Sequence, residues 1–169
     1  MKKLSPLILL CVLVACASPA QMRANRGMAS FEKQKYKKSA AQLGKAVERG
    51  YDEPGVHYAL GQSYLYIGKY DLAATHLEMA AAESAGVWFK LGNSYYNMDQ
   101  YEKAAGAYRK AIFLKPDYLE AIEALAMLYP DGVTRQEALD LWKKALELET
   151  RDEWITRAKH YIEQYEKNE

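Results

Sequence analysis

Residues 88–116 read WFKLGNSYYNMDQYEKAAGAYRKAIFLKP, and this stretch decides the fold. Its informative positions are Trp88, Leu91, Gly92, Tyr95, Ala104, Tyr108, Ala111 and Pro116. Apolar residues three or four apart are typical of amphipathic helices. Small residues among large ones allow two helices to approach closely. The stretch therefore predicts a pair of packed antiparallel helices.

The same frame recurs along the chain. Moved towards the C-terminus, it gives Ile122, Leu125, Ala126, Tyr129, Ala138, Trp142, Ala145 and Thr150. Moved towards the N-terminus, it gives His57, Leu60, Gly61, Tyr64, Ala73, Leu77 and Ala80. In the copy before that, Gly27 and Leu43 keep the frame, but Arg23 and Arg26 replace the Trp and Leu. The frame predicts four helix pairs, of which the first is degenerate.

This recurrent frame resembles the tetratricopeptide repeat over roughly residues 20–152. The resemblance implies an all-α solenoid that binds partners and carries no catalytic groups of its own. We expect a repeat domain at 21–152, with repeats at about 20–53, 54–84, 85–118 and 119–152. A capping helix is expected at 153–169, where one apolar stripe faces the last repeat. No stretch of the chain shows the alternation of a strand bounded by turns.

The amino end has the pattern of a secretory signal. Lys2 and Lys3 precede an apolar run that is too short to span a bilayer as a helix. The run ends in Leu-Val-Ala-Cys at 13–16, which resembles the bacterial lipobox and implies cleavage before Cys16 and acylation of Cys16. We therefore expect a signal peptide at 1–15, then the acylated Cys16 and a linker at 16–20. An ordinary signal peptide cut after Ala20 is the alternative.

The lipobox resemblance also implies a location. Ala17 stands where an Asp would resemble the inner-membrane retention signal. In a Gram-negative cell this favours the outer membrane, with the domain anchored by lipid and facing the periplasm. In a cell without an outer membrane, the anchor would be in the plasma membrane.

Charge is unevenly distributed. Residues 21–50 contain eight basic and two acidic residues, whereas residues 51–169 contain 13 basic and 20 acidic ones. We expect the basic end to lie against anionic lipid headgroups, and a solvated face without a partner is the alternative. The predicted membrane-proximal patch is Arg23, Arg26, Lys33, Lys35, Lys37 and Lys38. Nucleic acid is not an expected partner, because the expected compartment holds little of it.

In the repeat family, ligands usually lie in the concave groove lined by the first helix of each pair. The positions that follow the Trp, Gly and Tyr of the frame are aromatic, with amides between them. The predicted partner-binding residues are Phe31, Tyr58, Gln62, Tyr66, Phe89, Asn93, Tyr96 and Asn97. Such a surface suits a peptide or helix held by apolar anchors and backbone hydrogen bonds. Packing of some of these aromatics between repeats is the alternative.

Catalytic and metal-binding patterns are not found in the sequence. His57 occupies a Trp position of the frame, which predicts a packed residue, and His76 and His160 are expected to be isolated, with no Cys, His or Asp at metal spacing. Glu120 and Glu123 are expected on a solvated helix face. The sequence contains no phosphate-binding loop and no Ser-His-Asp order. We therefore predict a non-enzymatic protein without a cofactor or a metal.

Together these features predict a scaffold or assembly factor that binds an envelope protein. Lipoproteins of similar layout include the pilotins of type IV pilus biogenesis, which help a secretin ring to assemble, and accessory subunits of outer-membrane protein insertion. A docking regulator of peptidoglycan enzymes and a carrier of lipid or glycan are the alternatives. A closed apolar pocket would favour the carrier, and an open groove would favour the scaffold.

Overall fold

The computed structural model describes residues 18–80, 84–148 and 151–167, and these residues form helices joined by short turns. The helices are α1 Pro19–Glu32, α2 Tyr36–Val47, α3 Pro54–Tyr66, α4 Tyr70–Ala80, α5 Ala85–Tyr96, α6 Tyr101–Leu114, α7 Leu119–Ala126, α8 Arg135–Leu148 and α9 Asp152–Lys167. These three ranges contain no strand, so the all-α prediction is confirmed. None of the helices described has the length and apolar character needed to cross a bilayer. The predicted signal peptide and Cys16 lie outside the described residues.

The helices stack in sequence order. Each helix contacts the next one along the chain, which gives four antiparallel pairs and a final helix. The first helices of successive pairs also touch, α1 with α3 and α3 with α5, while α2, α4 and α6 make no comparable contacts with one another within the described ranges. First helices that lie closer together than second helices curve the stack. The first helices therefore line its concave side.

Small residues allow the close approach within each pair. An added Cβ would lie 2.4 Å from Leu43 Cδ2 at Gly27, and 2.4 Å from Tyr108 Cε1 at Gly92. Gly61 faces Leu77 in the same way, at 2.7 Å from its Cγ. The residues that face these glycines, Leu43, Leu77 and Tyr108, occupy the same position of the frame in their own repeats. Carbon atoms in contact are normally 3.5–4.0 Å apart, so these positions tolerate only glycine at this helix separation.

Helix ends follow local signals. α1 begins at Pro19, because the Ser18 hydroxyl accepts the Gln21 backbone N–H at 3.1 Å and Pro suits a first turn. Residues 19 and 20, which the sequence analysis assigned to the linker at 16–20, are therefore the first residues of α1. A side-chain hydroxyl also caps α8, with the Glu137 N–H donating to Thr134 Oγ1 at 3.2 Å.

The final helix α9 closes the stack. Ala158 is buried on α9, and Tyr161 stacks on Trp142 at 4.7 Å between ring centroids with an interplanar angle of 10°. Trp142 is fully buried. The opposite side of α9 carries exposed polar residues, among them Lys159 and Glu163. α9 thus covers the last pair and presents a polar surface to water, as a capping helix does.

Candidate functional site

The concave side contains an open cavity of about 410 Å³ between α3, α5 and α7. Its lining residues are Leu65, Tyr70, Asn93, Tyr96, Asn97, Tyr108, Ala124 and Met127. Three of the predicted partner-binding residues, Asn93, Tyr96 and Asn97, are therefore brought together at the end of α5. Tyr96 is 45 % exposed and Met127 is 47 % exposed. The cavity offers a ligand both apolar surface and amide groups.

Hydrogen bonds within the protein orient the two amides of the cavity. The Tyr108 hydroxyl donates to Asn93 Oδ1 at 2.7 Å, so Asn93 presents its amide N–H groups. Asn97 Nδ2 donates to the Asn93 backbone carbonyl at 2.7 Å, so Asn97 presents its carbonyl oxygen. Residues four apart lie on the same helix face. A donor and an acceptor side by side match the C=O and N–H groups of a peptide backbone.

Three of the other predicted groove residues, Tyr58, Gln62 and Phe89, are less accessible than expected. Gln62 is 7 % exposed, and its amide donates to the Tyr58 hydroxyl at 2.5 Å. Gln62 therefore positions Tyr58 and does not itself face the groove as a free amide. Phe89 is half-buried between repeats, with its ring centroid 5.8 Å from Tyr108 and 5.2 Å from Tyr118. Tyr58 is also half-buried and packs against the cluster that contains Leu77 and Leu91, so both aromatic rings contribute to packing between repeats.

A second aromatic group lies at the edge of the groove near the first pair. Phe31 meets Tyr36 edge-on at 6.0 Å, and Tyr36 stacks on Tyr66 at 4.2 Å with an interplanar angle of 11°. Tyr66 is 58 % exposed. The predicted residues Phe31 and Tyr66 are therefore joined by Tyr36, which the sequence analysis did not select.

Tyrosines at the start of the second helices were missed by the sequence analysis. Tyr36, Tyr70 and Tyr101 are the first residues of α2, α4 and α6, so they recur at the same intervals as the rest of the frame. Tyr70 lines the cavity, and Tyr101 lies 5.8 Å from Tyr96 between ring centroids. This recurrence was the signal that could have found them. Together with Tyr66 and Tyr96 they form a row of tyrosines along the edge of the groove.

Burial raises the pKa of three tyrosines in and beside the groove. Burial is the main cause that raises the pKa of Tyr36, of Tyr58 and of Tyr108, and nearby phenols add to it. Outside the groove, burial followed by the adjacent Glu78 raises the pKa of Tyr95 to about 12. A phenol with a raised pKa stays protonated at neutral pH. Tyr36, Tyr58 and Tyr108 therefore keep a hydroxyl that can donate a hydrogen bond, beside a ring that makes apolar contacts.

His57 and His76 lie together, so the expectation that His76 is isolated was wrong. Their Nδ1 atoms are 2.9 Å apart, and His57 Nε2 lies 2.5 Å from Asp52 Oδ1. His57 is buried, as its Trp position predicts. The ring of Tyr64 lies 5.7 Å from that of His76. Burial, and next the charge of His57, lowers the pKa of His76.

The acidic pair on α7 also differs from its prediction. Glu120 is exposed, but Glu123 is buried at 6 % exposure, so the two do not share a solvated face.

Among the described residues, no group of three or more His, Cys, Asp and Glu side chains is placed to hold a metal ion. The chemistry that this groove offers is binding by hydrogen bonds and apolar contact.

The predicted basic residues fall into two groups. Arg23 is half-buried and Arg26 is exposed, and both lie on α1. Lys33 and Lys35 are exposed residues of the turn after α1, and Lys37 and Lys38 are exposed in the first turn of α2. The six side chains are therefore spread along the first helix pair and its turn.

Comparisons with known proteins agree with this architecture. Two sequence models, both described as tetratricopeptide repeat, match residues 21–87 and 85–118. A comparison with curated protein sequences gives no match.

Solved structures give many matches. A crystal structure of MamA has a TM-score of 0.71 and 26% identity, covering 82% of this chain and 83% of that one. MamA 41-end from Desulfovibrio magneticus RS-1 has a TM-score of 0.69 and 23% identity, covering 76% of this chain and 75% of that chain. YrrB, described as a TPR protein with an unusual peptide-binding site, has a TM-score of 0.76 and 20% identity, covering 85% of this chain and 75% of that chain.

Proposed function

The chain is an all-α solenoid of tetratricopeptide repeats, a scaffold suited to protein–protein interaction, and we propose that it binds a peptide segment of a partner protein in its concave groove. The observation that carries this proposal is the open cavity lined by Asn93, Tyr96 and Asn97, with exposed aromatic surface beside it. We also propose that the chain acts without catalysis, because the described groove offers contacts and no reactive group.

The groove has the composition of a peptide-binding surface. Tyrosine is enriched at interface hot spots, because one side chain supplies a large apolar area and a hydroxyl. Tyr66 and Tyr96 are the exposed members of the tyrosine row, and Met127 adds a flexible apolar side chain at the far side of the cavity. The paired amides of Asn93 and Asn97 then bind the backbone, whatever its sequence. YrrB, which has the same fold at 20% identity, is described as having an unusual peptide-binding site, and this supports the proposed use of the fold.

Peptides selected from a random phage-displayed library test this proposal. Affinities of a selected synthetic peptide should be measured by fluorescence anisotropy for the intact chain and for a Tyr66→Ala/Tyr96→Ala/Met127→Ala variant. Hot-spot residues contribute about 2 kcal/mol or more each, so we expect the triple variant to lose at least about a hundredfold in affinity.

A matched control comes from the second helices. Met79, Phe113 and Leu148 on α4, α6 and α8 are 58 %, 76 % and 39 % exposed. Their triple replacement by Ala removes a similar exposed apolar area and should leave the affinity within about twofold. Retained affinity in the groove variant together with loss in the control would refute the groove as the binding surface.

The partner that we propose is a cell-envelope protein, as in assembly of a pilus secretin or of outer-membrane proteins. A peptidoglycan enzyme docked on the same groove is compatible with the same contacts. The cavity opens along the groove, which favours a peptide over the lipid or glycan of a carrier. Crosslinking in the cell from position 96, followed by identification of the crosslinked protein, distinguishes these partners.

We propose in addition that Cys16 carries a lipid anchor that holds the domain at the outer membrane, on its periplasmic side. The support is the sequence pattern at 1–16, together with the start of α1 at Pro19, which would hold the first pair close to the bilayer. Labelling with radioactive palmitate should mark the protein, and Cys16→Ala should abolish the label. Equal labelling of the two forms would exclude acylation at this residue.

A further inference from the structure

The exposed surface of the first helix pair is rich in basic residues. On α1 the exposed residues follow one helical stripe that includes Met22, Arg26 and, just after the helix end, Lys33. On α2 a second stripe includes Lys38, Lys45 and, just after its end, Arg49. Side chains three, four or seven apart share one face of a helix. We call the exposed basic surface of this first helix pair, formed by Arg26, Lys33, Lys38, Lys45 and Arg49, the basic end face, because the pair is the first of the stack in the described residues.

The position of this face in the stack explains why charges are tolerated there. Arg23 and Arg26 occupy the positions that Trp88 and Leu91 hold in the third repeat, where both pack against the preceding pair. No helix precedes α1 in the described part of the chain. A terminal repeat needs a polar outer face for solubility. That need would be met by charges of either sign.

The sign of the charge is the unexplained observation. The stretch 21–50 has eight basic residues, and the two acidic ones are Glu32 and Glu48. The described residues include no ion-pair partner for any of the eight basic side chains. The remaining chain has an excess of acidic residues. A concentration of positive charge on one end of an acidic solenoid fits a partner with dense negative charge.

We propose that the basic end face binds the surface of an anionic phospholipid bilayer. The surface is built from two neighbouring helices, and α1 alone runs for about 21 Å at 1.5 Å per residue, so it can meet many headgroups of a flat bilayer at once. Met22 is 46 % exposed at the start of the stripe and can enter the headgroup layer. Arg49 lines a cleft with Ser18 and Pro19, so the turn after α2 brings this basic residue to the amino end of α1.

The structure also revises the patch that the sequence predicts. Lys35, Lys37 and Lys38 lie around Tyr36, and each of them lines a cleft with Ile67 of the second repeat. Lys45 and Arg49, which the prediction omitted, extend the basic surface to the last turn of α2 and the turn after it. Binding through this face leaves the groove open, so the proposal is independent of peptide binding.

Co-sedimentation with vesicles tests the proposal on the full chain. Affinity is measured for neutral phosphatidylcholine vesicles and for vesicles with phosphatidylglycerol added, at low ionic strength because salt screens such contacts. Residues 1–17 are the same in all proteins, so their contribution cancels when variants are compared. One well-placed basic residue corresponds to roughly a fivefold change in affinity. Arg26→Glu/Lys38→Glu/Lys45→Glu should therefore lower the preference for anionic vesicles at least about tenfold.

A control with the same change in net charge separates this face from general electrostatics. Lys103→Glu/Lys110→Glu/Lys159→Glu alters exposed lysines on α6 and α9. This variant should keep the preference for anionic vesicles within about twofold. Circular dichroism checks that each variant is folded, and Arg26→Gln/Lys38→Gln/Lys45→Gln replaces the first variant if the reversed charges prevent folding.

Three outcomes would overturn the proposal. The first is an intact chain that binds neutral and anionic vesicles equally. The second is an equal loss in the two variants, which would assign the effect to net charge. The third concerns binding to soluble polyglutamate, a model of an acidic protein. If the Arg26→Glu/Lys38→Glu/Lys45→Glu variant loses binding to polyglutamate but keeps its binding to anionic vesicles, the face would be assigned to an acidic protein. Each of these leaves the peptide-binding result unaffected.

Discussion

Replacement of Gly92 by Ala tests how the helix pairs pack. A Cβ at this position would lie 2.4 Å from Cε1 and 2.5 Å from Cδ1 of Tyr108, about 1 Å closer than carbon atoms in contact. The Tyr108 ring cannot easily give way, because it is 2 % exposed and its hydroxyl is bonded to Asn93. α5 and α6 must therefore separate, or the ring must leave its site.

The expected magnitude follows from three contributions. Overpacking of a core costs about 1–3 kcal/mol, and loss of the hydrogen bond between Tyr108 and Asn93 costs about 1 kcal/mol. The better helix propensity of Ala offsets about 1 kcal/mol. Gly92→Ala should thus lower the free energy of unfolding by about 1–3 kcal/mol, measured by urea denaturation with circular dichroism.

Two controls identify the cause. Gly106 on α6 has no atom within 4 Å of an added Cβ, so Gly106→Ala should stabilise the protein by up to about 1 kcal/mol. In a Tyr108→Ala background the obstructing ring is gone, and Gly92→Ala should become neutral or stabilising. The packing argument is refuted if Gly92→Ala has the same cost with and without the Tyr108 ring.

The remaining predictions concern pH and a helix cap. The pKa of His76 is lowered below 6.5 in the folded state, so the unfolded chain binds more protons below that pH, and the free energy of unfolding should fall as the pH drops from 7 to 5. His76→Asn should flatten this dependence in urea titrations, while His160→Asn, at an exposed position of α9, should leave it unchanged; an unchanged slope in His76→Asn would contradict the assignment. Thr134→Ala removes the hydroxyl that accepts the Glu137 N–H and should cost about 1 kcal/mol in thermal unfolding, and a variant as stable as the parent would show that this cap contributes nothing.

The helix pairs were predictable because the positions of the frame are the residues that pack the helices together. Gly27, Gly61 and Gly92 each face the residue at the same later position of the frame, and any other residue in their place would force the helices apart. The end of α7, the first helix of the fourth pair, was less predictable. α5 ends at Tyr96, whose counterpart in the fourth repeat is Pro130, yet α7 already ends at Ala126. The helix stops early since Pro130 cannot donate a helical hydrogen bond.

The groove was predicted only in part, because exposure depends on how neighbouring pairs meet. Asn93 and Asn97 line the cavity as expected, yet Gln62 at a corresponding position is buried against Tyr58. The contact between His57 and His76 could not be predicted from their spacing along the chain. Such contacts are set by the side chains of two different helices, which a pattern along one helix does not record.

Site-specific photo-crosslinking in the native cell tests most directly that the concave groove is the partner surface. Benzoylphenylalanine replaces Tyr96 in the groove or Phe113 on α6, and both positions are exposed. We predict a discrete crosslinked protein from position 96 and none from position 113. The same adduct from position 113, with none from position 96, would contradict the account.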